Sequence, residues 1–229
     1  MRFMDGQLAS IVVGLATAVV IVAVAITPLL SPQWVAFEQG RARAAAWTGF
    51  SDADLRVATE ALLADLILGG DFDVAVNGRP VLNDRERSHM ADVRAVFRGL
   101  WVLALAGALV LAIAAGRAER GHRWASVRRG ALGLVISVVV VGVIGLVAFD
   151  QLFEVFHQVF FPAGSYLFDP TTDRLVQLFP FQFWEESAMV AGGTIIALAL
   201  VVAWFAGRRL RTVALEAGPD RTLRLEPHS

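Results

Sequence analysis

Cysteine and lysine are both absent from the 229 residues, and tyrosine occurs once, at Tyr166. Without cysteine there is no disulfide and no thiol nucleophile. Without lysine, the arginines alone carry whatever topological signal the basic residues hold. No ionisable residue stands in the middle of any long apolar run, which argues against a transporter, proton pump or ion channel. A glycine-rich phosphate loop is missing, so nucleotide-driven work is excluded, and no Gly-x-Ser-x-Gly elbow presents a serine nucleophile. No close HxH, HExxH or cysteine spacing marks a metal centre. A net charge of −1 with no outward basic cluster gives no footprint for nucleic acid.

Apolar residues are abundant instead, at 56% of the chain. They concentrate in runs at 8–30, 96–116, 130–149 and 188–206. Each run matches the ~20 residues that cross ~30 Å of hydrocarbon at 1.5 Å per residue. The fold class is therefore an all-α membrane protein with four transmembrane helices. Ala23-Val24-Ala25 resembles a signal-peptidase site, but the first run exceeds the ~7–15 residues of a signal core and reads as a span. Arg117, Arg120, Arg123, Arg128 and Arg129 crowd the loop after the second run, and Arg208, Arg209 and Arg211 follow the fourth. The positive-inside rule puts both segments, and hence both termini, in the cytoplasm of a cell whose plasma membrane the chain spans. The domains then read as a first span (1–30), an extracytoplasmic cap (31–95), two spans with their cytoplasmic loop (96–149), an extracytoplasmic aromatic loop (150–187), a fourth span (188–207) and a cytoplasmic tail (208–229). The tail, rich in Pro, Gly and mixed charge from 212 onward, reads as disordered.

The segment 31–95 carries its own structural signals. Ser51 with Asp54 resembles a capping box, and Leu55, Ala58, Leu62 and Leu66 form the stripe of an amphipathic helix. The stretch 74–82 reads as a hairpin about Asn77-Gly78, with Pro80 confining its strand to an edge. The result is a small α+β cap, too small for a comfortable core of its own and expected to lean on the membrane helices. Asn83 or Asp84 caps the next helix, which runs without interruption into the second span. His89 stands seven residues before Val96, about 10 Å beyond the hydrocarbon edge. Past the third span, Phe149, Leu152, Phe153, Phe156 and Phe160 keep a helical period, and His157 is eight residues beyond Phe149, about 12 Å up.

Two histidines at matching depth on one side suit proton transfer during chemistry on a lipid, because imidazole titrates near neutral pH. His89 with Asp92 at i, i+3 reads either as a base oriented by a carboxylate or as a solvated face whose charges pair, Arg85 included. His157 lies among phenylalanines, where an idle polar ring would cost desolvation energy. Asp169-Pro170-Thr171-Thr172-Asp173 either caps a short helix or holds His157 or Arg94 in place. Ser88, Ser165 and Tyr166 are possible hydrogen-bond donors. His122 and His228 fall on the cytoplasmic side and read as idle.

Glu86-Arg87-Ser88-His89-Met90-Ala91-Asp92-Val93 resembles an element of the bacterial four-span membrane family of Lit-like lipoprotein intramolecular transacylases. So do Phe156-His157-Gln158-Val159-Phe160-Phe161 and the Phe168-to-Val176 stretch with Phe179-Pro180. Tyr166, and the ending Phe181-Gln182-Phe183-Trp184, depart from the family pattern. The resemblance implies an acyltransferase that moves the sn-2 acyl chain of a diacylglyceryl-cysteine lipoprotein onto that cysteine's own amino group, giving a lyso-form. It implies that His89 and His157 are catalytic, that the diacylated lipoprotein or lipid substrate enters from the outer leaflet, and that no nucleic acid takes part. Ester-to-amide transfer is downhill and calls for no cofactor and no metal. Arg94 is the expected oxyanion partner, with Asp92 or Asp169 orienting a histidine and Asp173 and Tyr166 in support. Two other readings remain open: a non-catalytic envelope scaffold, sensitive at Leu62 and Leu66 rather than at the histidines, and a metal-dependent lipid hydrolase.

Overall fold

A computed structural model describes residues 6–216 of the chain. Its order is α1 (Gln7–Ile26), a 3-10 turn (Thr27–Leu30), α2 (Pro32–Arg41), α3 (Ala44–Thr48) and α4 (Asp52–Ala64), the last continued by a π-turn (Asp65–Gly69). There follow β1 (Ala75–Val76), β2 (Arg79–Pro80), α5 (Asp84–Arg117), α6 (Arg120–Phe160), α7 (Arg174–Leu178) and α8 (Phe181–Glu216). Four helices, α1 with its 3-10 extension, α5, α6 and α8, are long and apolar enough to cross a membrane. The chain separates into two compact units.

Among the described residues, one unit comprises those up to Val22, Leu103–Val138, and those from Ile195 to Glu216. Small residues set its packing. At Gly130 of α6 an added Cβ would meet the backbone of α1 at Gly14, whose carbonyl carbon would lie 2.8 Å away. Only glycine permits that approach. Ser10 and the buried Ser126 share a hydrogen bond of 2.8 Å beside the crossing. Ala199, Ala203 and Ala206 are buried on α8.

The second unit, Ala23–Val102 with Val139–Thr194, holds the cap and the aromatic loop. Its core joins Leu62 of α4 and Leu66 of the π-turn to Phe72, to Val76 and Val81 beside the hairpin turn, to Met90 of α5, to Leu175 and Leu178 of α7, and to Phe183 of α8. Burying each Leu or Phe side chain contributes about 1.5–3 kcal/mol, and the cap needs these long helices to do it. Asn77 (φ 52°) and Gly78 (φ 73°) both take the left-handed conformation that a tight hairpin turn requires. Gln39 of α2, almost wholly buried, donates to the Leu178 carbonyl (3.1 Å) and accepts from Thr59 (3.0 Å). Arg41 reaches Glu186 on α8 at 3.0 Å.

Several expectations need correction. The helix that carries the fourth span begins at Phe181, seven residues ahead of the apolar run at 188, directly after Pro180. That same helix continues to Glu216, so residues 212–216 are helical and not disordered. The remainder of the expected tail, His228 included, lies outside the described residues. Helix α6 runs past Asp150 but bends at Ala148 (φ −147°, ψ 41°), where the apolar run gives way to the acidic, aromatic stretch. Helix α2 went unanticipated although Ser31-Pro32 announces it: the Ser31 hydroxyl accepts from Trp34 N–H at 3.3 Å with proline in the first turn.

Candidate active site

The site grows from the first turn of α5, within the second unit. Asn83 caps that helix: its side-chain oxygen accepts from Glu86 N–H (3.0 Å), and Glu86 accepts in return from Asn83 N–H (2.7 Å). The second oxygen of Glu86 accepts from Leu175 N–H at 2.6 Å. One buried carboxylate thus serves the N-termini of α5 and α7 together. Burial pushes Glu86 above its usual range, and the N–H groups of Leu175 and Asn83 oppose the shift. Asp173 completes the joint, accepting from Asn83 (3.2 Å), Arg85 (2.8 Å) and Asp169 N–H (2.8 Å).

With the helix start fixed, the next turn aims His89 inward. It is 6% exposed and packs against Phe161 (4.7 Å between centroids) and Phe168 (5.4 Å). From the end of α6, His157 brings its ring to 6.1 Å from that of His89, with 18° between the planes. His157 is half-buried, touching Phe153 (4.3 Å), Phe161 (5.3 Å) and Tyr166 (5.1 Å). Its Nδ1 lies 2.7 Å from the Phe153 carbonyl oxygen. A carbonyl can only accept, so Nδ1 carries a proton and Nε2 keeps its lone pair in the neutral ring.

His89 sits in a different electrostatic setting. Its Nδ1 is buried without a hydrogen-bond partner. Burial drives its pKa down from 6.5 to about 4; the adjacent His157 adds to the drop and Asp92 counters it. It is seven positions outside the apolar stretch that begins at Val96, and at neutral pH it is uncharged.

The supporting residues divide. Asp92 acts on His89 through space but makes no hydrogen bond to its ring. Tyr166 stacks near His157 and donates to Glu154 at 3.1 Å. Asp169 accepts from Thr171 N–H (2.8 Å) and hydroxyl (2.7 Å), a turn-forming role that holds its carboxyl below the usual range. Asp173 holds Arg85 and not Arg94. Arg94 is spent on the carbonyls of Asp65 and Gly70 and on the Phe72 ring, 4.9 Å away, where it fixes the cap's loop. Ser165 donates to the Pro162 carbonyl at 2.9 Å. Among the described residues no group of three or more His, Asp or Glu side chains is arranged to hold a metal ion. Glu86 and Glu154 escaped sequence reasoning. For Glu86 the signal existed, since Asn83 three residues ahead of it is a capping pair; for Glu154 only the fold reveals that Tyr166 turns back to it.

A family model described as lipoprotein intramolecular transacylase Lit matches residues 9–184. Among solved structures the chain is similar to the membrane-integral lipoprotein intramolecular transacylase Lit from Bacillus cereus. Identity is 16% with a TM-score of 0.75, covering 94% of this chain and 100% of that one. A histidine-to-arginine variant of the same protein matches at 17% identity and a TM-score of 0.73, over 93% of this chain and 95% of that one. A histidine-to-alanine variant matches at 18% and 0.67, over 93% and 96%. Identities this low speak for a shared fold. No curated protein matches the chain.

Proposed function

Because the chain belongs to the Lit family of lipoprotein intramolecular transacylases, and is thus a membrane-integral acyltransferase, we propose that it transfers the sn-2 acyl chain of a diacylglyceryl-cysteine lipoprotein to that cysteine's α-amino group. The arginine-rich ends of the helices face the cytoplasm in this reading, by the positive-inside rule. The histidines then meet the substrate at the outer leaflet.

The free amine, with an ordinary pKa of ~7.7–8.0, attacks the ester carbonyl. His157 Nε2 takes the amine proton, its orientation supported by the Nδ1 bond to the Phe153 carbonyl. Collapse of the tetrahedral centre breaks the ester C–O bond, and the departing sn-2 oxygen receives the proton back from the His157 imidazolium. One amide forms, one ester is lost, and no net proton is consumed. His89, held neutral, offers its remaining N–H to the carbonyl oxygen as negative charge develops there. The phenylalanines around both rings lower the local dielectric and strengthen each of these interactions.

The observation that carries the reading is the pairing of two imidazoles from separate helices at 6.1 Å. General base catalysis is worth ~10²–10⁴ in rate and a lost oxyanion donor ~10²–10³. His157→Ala and His89→Ala, assayed on a diacylated lipopeptide in detergent, should each lower the rate at least ~100-fold while the protein still purifies as a folded species. Wild-type rates in both variants would overturn the assigned roles of the histidines; no acyl transfer by the wild-type protein would favour the scaffold, and loss of wild-type activity on chelation would favour the hydrolase.

A further inference from the structure

A groove of about 540 Å³ runs between α6 and α8 at the arginine-rich end of the first unit. It is remote in sequence from every residue of the histidine site, and the transacylase reading does not use it. Arg128 of α6 and Arg208 and Arg211 of α8 line it, and among the described residues no carboxylate does. Glu216, the acidic residue closest in sequence on α8, pairs instead with Arg120 at 3.7 Å. Arg128 lies against α8 at Gly207, where an added Cβ would sit 3.5 Å from the Arg128 Nε, an ordinary contact. The guanidinium of Arg208 is placed 5.1 Å from the centre of the Trp204 ring.

Charge and apolarity are segregated along the groove. Arg128 precedes Leu132 by one helical turn on α6, while on α8 Leu200, Ala203 and Trp204 precede Arg208 and Arg211. On both helices apolar residues lie deeper into the membrane-spanning run and the arginines at its end, where Leu210 is the one apolar lining residue beside them. The lining is therefore polar and cationic at one end, apolar at the other. An amphiphile with an anionic head fits that gradient; a soluble anion would leave the apolar part unfilled.

We propose that this groove binds an anionic phospholipid, its phosphate on Arg128, Arg208 and Arg211 and its acyl chains along Leu132, Leu200, Ala203 and Trp204. The lipid would seat α6 against α8 in the leaflet next to the arginine-rich end.

The test uses the full-length protein, delipidated in a neutral detergent, and native mass spectrometry with dioleoyl-phosphatidylglycerol or dioleoyl-phosphatidylcholine. Phosphatidylglycerol should be retained in preference to phosphatidylcholine, and should raise the melting temperature where phosphatidylcholine does not. Each arginine removed should weaken binding about fivefold, so the triple variant Arg128→Gln, Arg208→Gln, Arg211→Gln should lose about a hundredfold. A control that removes as much charge from the cap, Arg43→Gln, Arg56→Gln, Arg79→Gln, should keep the preference. Should the triple variant fail to purify, Arg128→Gln alone supplies the fivefold step. Equal retention of the two lipids, an undiminished preference in the variants, an equal loss in the control, or a thermal shift matched by inorganic phosphate alone would overturn the proposal.

Discussion

His89 and His157 are chemically the same residue made different by their surroundings. His157 has one nitrogen tied to a backbone carbonyl and is half-exposed; His89 is nearly sealed among phenylalanines, with a nitrogen left bare. Keeping His89 neutral ties stability to pH. Its folded pKa of about 4 lies below its unfolded value of 6.5, so the unfolded chain binds the extra proton between those limits. The neutral ring is therefore fully compatible with folding above pH 6.5, and stability falls as pH drops toward 4. At ~1.4 kcal/mol per unit the effect is about 3 kcal/mol. His89→Phe should flatten the fall of melting temperature between pH 6.5 and 4 relative to wild type; parallel profiles would show that His89 is not the group responsible. At this scale the sequence was informative where a side chain's partners are local. Depth past the span pointed to both histidines, and a phenylalanine-rich context to His157. Arg94 was illegible as a structural residue because its partners are backbone carbonyls of Asp65 and Gly70, which no side-chain pattern encodes.

Helix ends and helix crossings decide where those residues go. Asn83 with Glu86 starts α5 at the register that turns His89 inward, and Pro180 starts α8. Both starts use local chemistry, which is why α5 was read correctly and why α8 could have been. The bend at Ala148 has neither proline nor glycine to announce it, so nothing in the sequence marked it. Crossings are harder still, since a glycine pair far apart in sequence gives no sign of meeting. Gly14 and Gly130 meet asymmetrically: a Cβ at Gly130 runs into α1 backbone, whereas a Cβ at Gly14 has its closest neighbour at 3.4 Å. Gly130→Ala should therefore force α1 from α6 and cost about 1–3 kcal/mol, seen as a lower melting temperature and poorer extraction yield. Gly14→Ala should be much milder. Equal effects from the two substitutions would contradict the crossing described.

Across the whole molecule, four apolar helices followed from run length and the near absence of charge, because lipid leaves a spanning backbone few alternatives to a helix. The site was legible as two motifs at matching depth, but the 6.1 Å approach of the rings shows only in the fold, as does the joint by which Glu86 and Asp173 tie α7 to the start of α5. Membership in the lipoprotein intramolecular transacylase family gives the class of chemistry, and the paired imidazoles are the part of this chain proposed to perform it. Acyl migration within one substrate molecule is the central claim. Tandem mass spectrometry of a synthetic diacylglyceryl-cysteine peptide, carrying distinguishable sn-1 and sn-2 chains and incubated with the purified protein, tests it most directly. The expected product has unchanged mass, with the sn-2 chain on the α-amino group and a free sn-2 hydroxyl. Release of that chain as free fatty acid, or its arrival on a different peptide molecule, would contradict it.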